Sequence, residues 1–116
     1  MDIQAIIFGR DAVNNSFIFE KQAKETFFLL QKRGYKLAAV EHDDGQKALT
    51  EADILLGTAK TLGVPPHECA VVENAEVGID AAKSNGMTAI GIGKAKNYIL
   101  ADMCIGEISE LLDIFA

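Results

Sequence analysis

Two cysteines in 116 residues, Cys69 and Cys104, are too few for a disulfide framework. They lie far apart, each beside apolar strand-like residues, and read as reduced, largely buried thiols of a cytoplasmic protein. Basic side chains are also scarce. Eleven Lys and Arg against 17 Asp and Glu leave a formal charge of −6, which argues against nucleic acid or an anionic membrane as a partner. No apolar run approaches the roughly 20 residues of a membrane-spanning helix, and Met1-Asp2-Ile3 leads almost directly into a strand with no leader pattern. The two histidines, His42 and His67, share no ligand-like spacing with the cysteines, so a zinc site is not expected.

What is present is alternation. Apolar strand-like runs, Ile3 to Phe8, Tyr35 to Val40, Cys69 to Val72, Met87 to Ile92 and about Asp102 to Ile105, are separated by helical stretches. The helices are expected at about Phe19 to Lys32, Ala48 to Leu62, Ala75 to Ser84 and Ile108 to Phe115. In the first, Phe27, Phe28, Leu29 and Leu30 supply the buried stripe. In the second, Leu49, Ala52, Leu55, Leu56, Ala59 and Leu62 share a face. Gly34, Gly63-Val64-Pro65-Pro66 and Asn85-Gly86 are stop signals. Strict alternation of this kind predicts an α/β fold of one domain over residues 1–116. It is a three-layer αβα sandwich around a five-stranded parallel sheet of order 2-1-3-4-5, with a Rossmann-like core. Ligands in such sheets bind beyond the carboxyl ends of the strands, near the switch point between strands one and three. Gly9, Arg10 and Asp11 follow the first strand, Glu41 the second, and Glu73-Asn74 the third.

From about Asp53 to Leu112 the progression LGV, Pro, apolar strand, Glu-Asn, G-I-x-A-A, G-M and I-G-I-G resembles the C-terminal half of the haloacid dehalogenase-like superfamily. Within it, the pattern is closest to the β-phosphoglucomutase-like branch. IQAIIFGRDAV resembles that family's first motif, F-D-x-D-G-V, and QKRGYKLAAVEH its second strand. The resemblance implies phosphatase or mutase chemistry on a Rossmann-like core, and it also exposes departures.

The family's leading Asp attacks phosphorus; the matching residue is Gly9, which has no side chain to phosphorylate. Asp11 matches the second Asp, the general acid and base. Where the second motif places a Ser or Thr for phosphate stands Glu41, a carboxylate that repels a dianion. The third motif's Lys aligns with Leu49, Lys47 being two residues off register. The magnesium-binding Asp of the fourth motif is matched by Asn74, which offers an uncharged amide oxygen. The interval Ala12 to Glu20 is too short for an inserted cap, so the core is expected to be capless.

Two functional readings follow. The preferred one is a catalytically inactive relative, a pseudoenzyme, with a binding, interaction or self-association role at the capless crevice, as a homo-oligomer or with a protein partner. The alternative is a metal-dependent phosphatase or β-phosphoglucomutase-like enzyme with displaced catalytic residues. No cofactor is expected. Asp11, Glu41, Glu73 and Asn74 are the candidates for a weak divalent-cation site such as Mg2+, set against the simpler reading of a solvated acidic rim with Arg10 partly neutralising it. Asn74 also fits a helix N-cap, and Gly91-Ile92-Gly93-Lys94 reads as a flexible strand exit in preference to a phosphate loop. Phe17, Ile18 and Phe19 either staple the first helix to the core or form a partner patch.

Overall fold

The computed structural model describes residues 2–9, 17–40 and 50–116, without the side chains of 17–22. Its strands are β1 (Ala5–Phe8), β2 (Lys36–Ala39), β3 (Cys69–Glu73), β4 (Thr88–Gly91) and β5 (Met103–Cys104). The helices are α1 (Phe17–Lys32), α2 (Glu51–Leu62), α3 (Glu76–Ser84) and α4 (Leu111–Ile114). The sheet order is β2-β1-β3-β4-β5 and every pairing is parallel, as the alternation predicts.

Successive strand residues point to opposite faces, and the core divides accordingly. Ile6 and Phe8 of β1, Ala70 and Val72 of β3 and Ile90 of β4 pack with Leu30 of α1 and Leu111 of α4. Ala5 and Ile7, Cys69 and Val71, and Ala89 pack on the other face with Leu55 and Ala59 of α2 and Ile79 and Ala82 of α3. Both faces of β1 and β3 are therefore covered, which is why their sequences are apolar throughout.

The helix ends obey local chemistry. Thr50 caps α2, its hydroxyl oxygen accepting from the Asp53 amide at 3.1 Å, so the helix starts at Glu51; Ala48 and Leu49 lie outside the described residues. Gly34 (φ 100°) ends α1, where the Tyr35 amide returns to the Leu30 carbonyl at 3.2 Å.

Three expectations are corrected. The stripe of α1 is Ala23, Thr26, Phe27 and Leu30, while Phe28 is 62% and Leu29 39% exposed. Four consecutive residues sweep about 300° of a helix and cannot share one face. The final helix is a 3-10 turn, Ile108–Glu110, followed by the short α4. Cys104 lies on the outermost strand and is exposed; only Cys69 is buried.

Candidate functional site

The carboxyl ends of β1 and β3 lie side by side at the switch point. The register pairs Phe8 with Val72, and the Gly9 amide donates to the Val72 carbonyl at 2.8 Å. Gly9 thus stands beside Glu73, the last residue of β3. By strand alternation Gly9 continues the phase of Ala5 and Ile7, and Glu73 that of Cys69 and Val71. Both face α3.

There the Glu73 carboxylate fills the space that a side chain on Gly9 would need. A Cβ built on Gly9 would collide with the Glu73 carboxylate, and so would one built on Gly78 in the first turns of α3. The carboxylate is held between two glycine backbones, with Glu73 only 6% exposed. Glycine at positions 9 and 78 is a matter of close approach, since neither has a left-handed φ.

Asn74, 8% exposed, turns the other way. Its Oδ1 accepts a 2.7 Å hydrogen bond from the Lys94 amide, and it lies so close to Gly93 (φ 59°) that a Cβ there would strike it. The N-cap of α3 is Ala75, without a side-chain hydrogen bond, so Asn74 joins the ends of β3 and β4 and does not cap the helix. The Gly91–Gly93 exit is likewise a packing feature: a Cβ on Gly91 would meet the Ala95 carbonyl, and Gly93–Ala95 is a 3-10 turn. Tyr98 and Asp102 tie the segment beyond this turn to α3. The Tyr98 hydroxyl donates to Asp80 at 2.7 Å, a bond that raises its pKa because ionisation would break it. Lys83 donates to Asp102 at 2.9 Å.

Of the residues singled out in the sequence, Gly9, Glu73 and Asn74 come together here. Arg10, Asp11, Glu41 and Leu49 lie outside the described residues. Among the described residues, no three acidic, histidine or cysteine side chains gather in a way that could hold a metal ion. Gly78, Gly93 and the Lys94 amide were not singled out as partners of this corner; the paired glycines flanking a strand-end acid are visible only once the strand register is known.

No family model matches the chain. It is 42% identical over 65 residues to β-phosphoglucomutase of Bacillus subtilis, a stretch covering 56% of this chain and 29% of that enzyme. The chain therefore matches less than a third of that relative's length. Its fold superimposes on the cobalt-bound form of deoxy-D-mannose-octulosonate 8-phosphate phosphatase of Haemophilus influenzae with a TM-score of 0.75. Sequence identity there is 16%, over 98% of this chain and 87% of that one. A β-phosphoglucomutase-like protein of Thermotoga maritima gives a TM-score of 0.73 at 16% identity, over 97% and 98% of the two chains. This chain has a haloacid dehalogenase-like core and β-phosphoglucomutase-like homologues. The interval between β1 and α1, residues 9–16, is too short to hold an inserted cap domain.

Proposed function

We propose that this β-phosphoglucomutase-like homologue is catalytically silent and serves as a binding protein, through self-association or a protein partner at its capless crevice. The observation that carries this reading is the Glu73 carboxylate lodged between Gly9 and Gly78. Aligned with the first motif, Gly9 offers no nucleophile. The nearest described carboxylate is buried at the level of the strands, beside the Gly9 backbone, where it is not presented to a phosphoryl group in solution. An aspartate at position 9 would have to evict it. Glu41 and Leu49, in place of a phosphate-binding hydroxyl and a lysine, support the same reading through their chemistry.

The second reading is a metal-dependent phosphoryl-transfer enzyme with displaced groups. It draws on the names of the relatives and on Glu73-Asn74 standing at the strand end. Assaying the purified protein on an aryl phosphate with Mg2+ separates the two. No turnover above background is expected. Turnover that disappears in Asp11→Asn would establish the second reading and remove the first.

A further inference from the structure

The outer face of α1 carries exposed apolar surface that belongs to neither core cluster of the described residues. Phe28 and Leu29 are adjacent, 62% and 39% exposed, and with Lys24 and Glu25 they line an open hollow of ≈ 420 Å³. Lys32 lies over the Phe28 ring, 5.8 Å from its centroid. At 100° per residue, Glu25, Phe28, Leu29 and Lys32 fall within an arc of about 100°. The apolar pair is thus flanked by an acid one turn before it and a base one turn after it. Arg33 is directed elsewhere, donating to the Leu112 and Phe115 carbonyls at 2.7 and 2.9 Å.

That order of charges is self-complementary. When two copies of α1 pack antiparallel about a two-fold axis passing between residues 28 and 29, the apolar pairs meet at the axis. Glu25 of each copy then comes opposite Lys32 of the other. A parallel arrangement would set like charges together. We propose that the outer face of α1 is the self-association surface of this protein and that its occupant is the same face of a second copy, antiparallel. The proposal rests on the self-association part of the role above but places it on the outer face of α1 instead of at the capless crevice, and it is independent of the catalytic part. The face is one helix wide, so the dimer is weak, with a dissociation constant of roughly 10–100 μM or more.

The test is sedimentation of the full chain across a concentration series into the millimolar range. A monomer–dimer equilibrium is expected. Phe28→Asp with Leu29→Asp should raise the dissociation constant more than about tenfold while leaving the far-ultraviolet circular dichroism unchanged. Glu25→Lys alone and Lys32→Glu alone should each weaken association about two- to fivefold, and the two together should restore it. A monomer at every concentration, a dimer indifferent to Phe28 and Leu29, or a charge-swapped variant no better than either single change would each overturn the proposal. None of these outcomes bears on the aryl phosphate assay, so the interface and the catalytic reading fail separately.

Discussion

Glu73 places its carboxylate in the volume that a side chain at Gly9 would occupy, and Gly78 closes the same volume from α3. A first-strand residue without a side chain and a buried acid at the end of the neighbouring strand therefore form one packing unit. Each is explained by the other: the acid fits because the glycine is there, and a side chain at position 9 would require the acid to move.

Gly9→Ala is expected to destabilise the protein by about 1–3 kcal/mol, the usual consequence of overfilling a packed site. In a Glu73→Ala background the same change should cost little, because the colliding group is gone. Urea denaturation of the two single variants and the double variant measures this coupling. Additive effects would show that the cost of Gly9→Ala does not come from Glu73. By the same reasoning, Gly9→Asp with Asn74→Asp should not establish phosphatase activity while Glu73 remains, since the new aspartate and the old glutamate compete for one space.

Asn74 predicts a second pattern. Asn74→Ala removes the acceptor of the Lys94 amide and should cost about 1 kcal/mol, whereas Asn74→Asp keeps an acceptor at the same place and should cost less. Gly93→Ala meets both a collision with Asn74 and a left-handed φ of 59°, and should cost about 1–2 kcal/mol or more. Thermal melts of the three variants check the ranking.

These relationships mark what was and was not legible in the sequence. The sheet order and the two-sided burial of β1 and β3 follow from alternating apolar runs, a signal spread over many residues. That Glu73 and Asn74 would stand beside Gly9 followed from the same topology. The roles of these residues did not follow. Whether a strand-end acid points into the sheet layer depends on its phase against Val71, and whether glycine faces it depends on a register no local pattern encodes. The misplaced stripe on α1 has a simpler cause: in Phe27-Phe28-Leu29-Leu30 every residue is apolar, so hydrophobicity alone cannot say which face is inward. Packing of Phe27 against Phe8, with ring centroids 4.5 Å apart, fixes the rotation.

The cysteines should separate cleanly in reactivity. Cys69 is buried, and burial, aided by the nearby Glu68 charge, raises its thiol pKa, while Cys104 is exposed on β5. A thiol reagent at neutral pH should modify Cys104 first. Cys69 should follow on the order of 100-fold more slowly, at a rate set by opening of the β1–β3 core. Mass spectrometry of digested, labelled protein assigns the sites. Equal rates would show that β3 is not held in the core.

Asp102 supplies the pH dependence. Burial pushes its carboxyl upward, but the Ala89 amide, donating at 2.7 Å, and Lys83 outweigh this and leave the pKa below the ordinary 3.8. A carboxyl with a lower pKa in the folded chain than in the unfolded one favours folding when ionised. The stabilisation is complete above the unfolded value and disappears as the pH falls through the folded one. Both side chains are more than a third exposed, 41% for Lys83 and 37% for Asp102, so screening holds the contribution to about 0.5–1 kcal/mol. Asp102→Asn retains an acceptor for Ala89 but loses the charge. Its deficit should therefore be present at pH 7, shrink as the pH falls below about 4, and be reduced at neutral pH by high salt. Denaturation curves at pH 7 and pH 3 test this. A deficit of equal size at both would show that the charge of Asp102, and with it the Lys83 pair, contributes nothing.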